Sequence, residues 1–136
     1  KGIPIRVEIG PKDIEKNQAV LVRRDNSQKK SVKLSDIEKE VAKMLAEMQA
    51  EMFKKAKKFL DDNTAEAKTW QDTKKLLEQR KMVLAPFCNS PYCEKEIKEE
   101  TTATARCIPF GQKKAAMKCI KCGKNAESKV LLAKAY

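Results

Sequence analysis

The sequence predicts an α/β fold in its first half, made of part of a mixed sheet and a long helix, followed by a small α+β unit. Apolar and polar residues alternate over residues 3–9, which predicts a strand with one buried face. Residues 19–22 form a continuous apolar run, which predicts a strand in the middle of a sheet. A long amphipathic stretch follows, and beyond residue 63 the chain changes to short elements and cysteines.

The first strand is expected to end at Gly10 and Pro11, because proline lacks the N–H that a strand ladder needs. A polar stretch over residues 12–18 carries no predicted element. Residues 25–27 predict a turn, and residues 31–34 predict a returning edge strand.

The long helix is predicted over residues 37–59, with Ser35 and Glu38 forming a capping box at its start. Apolar side chains recur along it at spacings of three and four residues, namely Ile37, Val41, Met44, Leu45, Met48, Met52, Ala56 and Phe59. The methionines share this stripe, so we interpret them as core residues rather than as a cofactor or partner groove.

Residues 61–64 break the helix and predict a domain boundary near residue 63, giving domains at 1–63 and 64–136. Residues 65–68 predict a short strand, and Thr69 can cap a helix over 70–80. Strands are further predicted at residues 82–84, around Ile108 and at 129–135, with a largely exposed helix at 94–100.

Charge and hydropathy point to a class of partner. The chain of 136 residues carries 30 Lys plus Arg against 19 Asp plus Glu, a net charge of +11, which favours attraction to a polyanion such as RNA. It has no long apolar run or secretory pattern, so we expect no membrane partner and a cytoplasmic protein. Because a strand begins at once and the first residue is not Met, we expect a piece of a longer protein.

Four of the five cysteines fall into two close pairs, Cys88 with Cys93 and Cys119 with Cys122. Each pair is short enough for both sulfurs to bind one ion, and the odd total argues against a disulfide framework. The chain contains no histidine, so we expect a four-thiolate site that holds a structural zinc. The alternative is a set of reduced cysteines that bind nothing. Cys107 has no near partner and is expected to be buried as a small apolar residue.

Two blocks of sequence carry a resemblance to a known family. Residues 1–13 (KGIPIRVEIGPKD) and 22–25 (VRRD) resemble the anticodon-binding domain of prolyl-tRNA synthetases. Residues 85–88 (APFC), 107–110 (CIPF) and 119–126, with Cys93 and the terminal Tyr136, resemble the zinc-binding extension of the archaeal and eukaryotic type. Together the blocks cover nearly the whole chain.

The resemblance implies a proline–tRNA ligase, a class II enzyme that uses ATP and magnesium in a catalytic domain absent from this chain and that usually dimerises through that domain. It implies that Arg6 and Lys12 contact the guanines of the proline anticodon, and that the Tyr136 carboxylate approaches the catalytic domain. An arginine suits this role because it can donate two parallel hydrogen bonds to guanine. A salt bridge between Arg6 and Glu8 is the plain alternative, and Arg23 and Arg24 are weaker candidates for phosphate contact.

Two other interpretations remain open at this point. A free-standing RNA-binding or scaffold module with a structural zinc would also explain the charge and the cysteines. A class II synthetase for another amino acid would share the anticodon domain, although the cysteine tail argues for proline.

Overall fold

The computed structural model describes residues 2–112 and 116–135. It divides into two compact units, Lys1–Lys57 and Lys58–Tyr136. The division lies shortly before the predicted domain boundary at residue 63, which stays a prediction. The mixed α/β composition and the long helix predicted from the sequence are confirmed.

A three-stranded antiparallel sheet forms the first unit, in the order β1 (Ile5–Glu8), β2 (Gln18–Arg23) and β3 (Lys29–Lys33). The apolar run is the central strand β2, as predicted. A helix that the sequence did not indicate, α1 (Pro11–Glu15), replaces the polar stretch. It starts there because Pro11 suits a first helical turn and the Asp13 carboxylate accepts the otherwise unpaired Gly10 N–H at 3.0 Å.

The long helix α2 (Ile37–Asp62) packs its first half on this sheet. Met44 and Met48 are buried with Leu21 and Val32, and Ile5, Ile37 and Val41 pack around them. The predicted capping box does not form, since the helix is entered through a 3₁₀ turn (Leu34–Asp36) whose preceding residue makes no side-chain cap.

Two expectations about burial in α2 and β1 are wrong. The apolar stripe of α2 is not core throughout, because Met52 and Phe59 are 54% and 71% exposed. A helix of 26 residues is about 39 Å long, whereas a six-residue strand spans about 20 Å, so the sheet covers only part of it. The first strand also lacks a fully buried face, since it is an edge strand and its Val7 is 43% exposed.

The second unit holds a four-stranded sheet in the order β4-β5-β7-β6. Its elements follow one another as β4 (Thr64–Glu66), α3 (Trp70–Glu78), β5 (Met82–Phe87), α4 (Pro91–Thr101), β6 (Ala103–Cys107) and β7 (Ser128–Lys134). Strand β4 runs parallel to β5 and the other pairs are antiparallel. Thr69 caps α3, as predicted, by accepting the Asp72 N–H at 3.1 Å.

Sequence reasoning misplaced two elements of the second unit. The strand expected around Ile108 is β6, which ends one residue earlier and leaves Ile108 half exposed. Helix α4 begins earlier than predicted and is not largely exposed, because it buries Cys93, Ile97 and Thr101 in the core of the unit.

Candidate functional site

The four paired cysteines lie together in the second unit. Cys88 directly follows β5, Cys93 lies in the first turn of α4, and Cys119 and Cys122 lie on the segment between β6 and β7. Their sulfur atoms all lie within 4.8 Å of one another. In the described part of the chain this is the single group of cysteine and acidic side chains arranged so that it could hold a metal ion.

The sulfur separations fit one tetrahedral ion. With metal–sulfur bonds of about 2.3 Å, tetrahedral geometry places neighbouring sulfurs about 3.8 Å apart. The Sγ atoms of Cys88 and Cys93 are 3.6 Å apart, and those of Cys88 and Cys122 are 3.7 Å apart. A disulfide requires about 2.05 Å, so these are free thiols at metal-ligand spacing.

The segment with the second cysteine pair forms a tight turn closed by backbone hydrogen bonds. The Gly123 N–H donates to the Cys119 carbonyl at 2.9 Å, and the Cys119 N–H donates to the Lys124 carbonyl at 2.8 Å. Gly123 has φ 72°, in the left-handed region that residues with a side chain adopt only at a cost. The turn is tied to the end of β5 because the Ile120 N–H donates to the Pro86 carbonyl at 3.1 Å.

The thiols differ in their acidity. The pKa of Cys122 is lowered to about 7, chiefly because the Lys124 backbone N–H donates to its sulfur. Burial raises the pKa of the Cys88 and Cys93 thiols. A metal ion that binds all four sulfurs would therefore displace protons from the two raised thiols.

Cys107 stands apart from this group. It is exposed at the end of β6, so the expectation that it is buried is wrong. The register of β6 against β7 shifts between Ala105 and Cys107, and this irregularity at an edge strand takes Cys107 out of regular pairing.

Arg6 and Lys12, the residues expected at the anticodon, are both exposed. The Arg6 side chain is 67% exposed on β1, and its Nε and Nη2 donate to Glu8 Oε1 at 2.9 and 2.7 Å. The salt bridge weighed as an alternative is thus present, and it holds the pKa of Glu8 below its ordinary value. Lys12 lies in α1, directly after the Gly10–Pro11 turn.

Arg23 has a structural role that sequence reasoning missed. Its side chain is 4% exposed and its Nη2 lies 2.7 Å from Asp25 and 2.5 Å from Glu51. Both partners raise the pKa of Arg23, Asp25 more than Glu51. Glu51 is 28 residues away on α2, so no local pattern could reveal this pair. Arg24, by contrast, is exposed.

Tyr136, whose carboxylate is expected to approach the catalytic domain, lies outside the described residues. Among those residues, no helix has the length and apolar character that crossing a membrane would require.

Two family models match the chain. One, described as "Prolyl-tRNA synthetase, C-terminal", matches residues 70–136, and the other, described as "Anticodon binding domain", matches residues 1–44. The first range includes all four cysteines of the cluster, and the second includes Arg6 and Lys12.

Curated relatives and a solved structure agree with these matches. The chain is 44% identical over 137 residues to "Proline–tRNA ligase 2" of Bacillus cereus and 47% identical to "Proline–tRNA ligase" of Lachnoclostridium phytofermentans. A crystal structure of prolyl-tRNA synthetase from Cryptosporidium parvum, complexed with halofuginone and AMPPNP, matches with a TM-score of 0.90 and 36% identity. Each comparison covers 100% of this chain and 29% of the relative.

Proposed function

The chain belongs to the prolyl-tRNA synthetase family as a C-terminal part, and from that premise we propose that it recognises tRNA and supports the structure of a proline–tRNA ligase. The parent enzyme would join proline to its tRNA with ATP and magnesium, outside the 29% of the relatives' length that this chain spans. The matches to proline–tRNA ligases span the whole of this chain, and they favour this function over a free-standing module or a synthetase for another amino acid.

One observation carries the recognition role: Arg6 and Lys12 are exposed within the part of the chain that the anticodon-binding model matches. We propose that both contact the guanines of the proline anticodon. Unpaired anticodon bases expose edges that a helical stem would hide, and a guanidinium can donate to both acceptors of guanine. Glu8 occupies the Nε and Nη2 side of Arg6, which leaves the Nη1 atom directed away from this pair.

Charging kinetics of the full-length enzyme test this role. Arg6→Ala should lower kcat/KM for proline tRNA roughly 5- to 150-fold, which corresponds to a loss of about 1–3 kcal/mol of recognition energy. The loss should shrink for a transcript whose anticodon guanines are replaced. Arg24→Ala is the matched control, because it removes an exposed arginine of the same unit. If Arg24 contacts a phosphate, its loss should lower kcat/KM equally for both transcripts. Unchanged discrimination in Arg6→Ala would remove Arg6 from the site.

For the cysteine cluster we propose one structural zinc ion, held by Cys88, Cys93, Cys119 and Cys122. Support comes from the all-sulfur donor set and the tetrahedral spacing, which leave no open ligand position for catalysis. Elemental analysis of the purified chain should find about one zinc per chain. Iron in its place, or no metal after purification without chelators, would contradict the assignment.

The remaining expectations rest on the family alone. We propose that the parent enzyme is a cytoplasmic homodimer through its catalytic domain, and that the Tyr136 carboxylate approaches that domain. A long extension after Tyr136 should then reduce charging by the full-length enzyme, and an extended enzyme of normal activity would contradict the role of Tyr136.

A further inference from the structure

Lys121 differs from the other lysines around the second cysteine pair. It lies between Cys119 and Cys122, and its side chain is only 14% exposed. Lys118 and Lys124, on either side of the pair, are exposed. An exposed lysine can offset the charge of nearby thiolates, so this role does not require burial. Because lysines are rarely buried unless they are paired, the burial of Lys121 indicates a specific partner.

The partners of Lys121 come from two helices. Its Nζ forms an ion pair with Glu100, lies 3.7 Å from Glu96, and stands 5.0 Å from the centre of the Trp70 ring. The Trp70 Nε1–H donates to the other Glu100 oxygen at 3.1 Å. The ammonium is therefore enclosed by an aromatic face and two carboxylates, a combination that favours a fixed position.

This contact links the two halves of the cysteine cluster. Helix α4 carries Cys93 in its first turn, and Glu96 and Glu100 follow at spacings of three and four residues, on the same side of the helix. One helix therefore supplies a thiol from its start and the carboxylates that hold the turn bearing Cys119 and Cys122.

We propose that Lys121 is a positioning residue for the metal site: its contact with Glu100 and Trp70 clamps the second cysteine pair onto α4, so that four sulfurs are brought together before metal binds. The proposal rests on the metal site of the proposed function. The clamp reduces the conformational freedom that the turn must lose on binding, and it slows the escape of a bound ion. Groups that orient metal ligands typically change affinity by roughly 10- to 100-fold when removed.

Metal transfer from the full chain to a chromogenic chelator measures the effect. Lys121→Met keeps the apolar stem but loses the ammonium, and it should release zinc roughly 10-fold faster or more. Lys121→Arg should restore most of the slow release, because a guanidinium also pairs with carboxylates and stacks on tryptophan. Lys98→Met is the charge-matched control, because Lys98 is an exposed lysine of α4 that takes no part in the contact, and it should release zinc like the wild type.

Trp70 supplies a second readout, as it is the single tryptophan of the chain. In the metal-free chain its fluorescence should differ between the wild type, where the ammonium contacts the ring, and Lys121→Met, where it does not. Equal fluorescence of the two metal-free forms would overturn a clamp that forms before metal binds. Circular dichroism of the zinc-loaded forms establishes that each variant is folded.

The outcomes separate the two hypotheses. Equal release rates for Lys121→Met and the wild type would overturn the clamp and leave the zinc assignment standing. An equal acceleration of release in Lys98→Met would show that charge alone matters, and would also overturn the clamp. A wild type that binds no metal would overturn both the zinc assignment and the clamp.

Discussion

Removing the metal from the cysteine cluster should destabilise the second unit and leave the first unit folded. Cys93 and Cys119 are 2% and 3% exposed and belong to the core cluster of the second unit. The core of the first unit is formed by residues of its own sheet and of α2. The two units should therefore respond differently to a chelator.

The size of the effect follows from mass action. A structural zinc with about 12 kcal/mol of binding free energy has a Kd of about 1 nM, so 10 µM free zinc stabilises the folded form by about 5.5 kcal/mol. The second unit has roughly eighty residues, and for domains of that size each kcal/mol shifts the Tm by about 4–8 °C. Its Tm should thus fall by more than about 20 °C in excess chelator.

Calorimetry with and without chelator measures this shift, and amide hydrogen exchange locates it. Exchange should accelerate over residues 82–136 and remain unchanged in β2. Cys119→Ser should lower the Tm and abolish its response to zinc, whereas Cys107→Ser should not, since Cys107 is exposed and outside the cluster. A chelator-treated chain with an unchanged Tm and unchanged exchange would refute the reasoning.

Three further predictions concern other parts of the chain. Leu132→Ala should cost about 2–5 kcal/mol in urea unfolding, because Leu132 is 1% exposed on a central strand of the second sheet; a loss below about 1 kcal/mol would contradict this packing. The pKa of Asp25 is lowered from 3.8 by Arg23, so its stabilising effect is complete above pH 3.8 and is lost as pH falls through the lower folded value. The Tm of Asp25→Asn should consequently fall less than that of the wild type below pH 4, and parallel pH profiles would count against the pair. Glu8→Ala should reduce charging by the full-length enzyme less than fivefold, as Glu8 contacts Arg6 and Lys29 through exposed salt bridges, and a loss equal to that of Arg6→Ala would assign Glu8 a direct role.

Strong patterns in the sequence predicted the elements that depend on them. The apolar run predicted the central strand β2, and apolar residues at spacings of three and four predicted the position of α2. Two close pairs of cysteines were enough to predict a four-sulfur cluster, because the chain offers no histidine as an alternative ligand.

Most of the features that the sequence did not predict depend on contacts between residues that are distant in sequence. Strand β6 pairs with β7, and its apolar residues Ala103, Ala105 and Cys107 alternate with Thr104 and Arg106, but the pattern is weak because alanine is a poor strand former. Helix α1 is too short for a periodic signal. Periodicity also predicted an apolar face for α2 without indicating how much of it the sheet would cover. The burial of Lys121 and Arg23 could not be read from the sequence, since each has a partner on a distant helix, Glu100 at 21 residues and Glu51 at 28 residues.

The strand order of the second sheet has a consequence for how this unit is made in the cell. Strand β7 lies between β5 and β6, although both of its neighbours precede it in the chain. During synthesis β6 has no strand to pair with until residues 128–134 have left the ribosome. The cysteine-bearing segment between β6 and β7 stays an open loop until then. Completion of this unit therefore waits for the last strand, whereas the sheet of the first unit can form while the ribosome is still elongating the second.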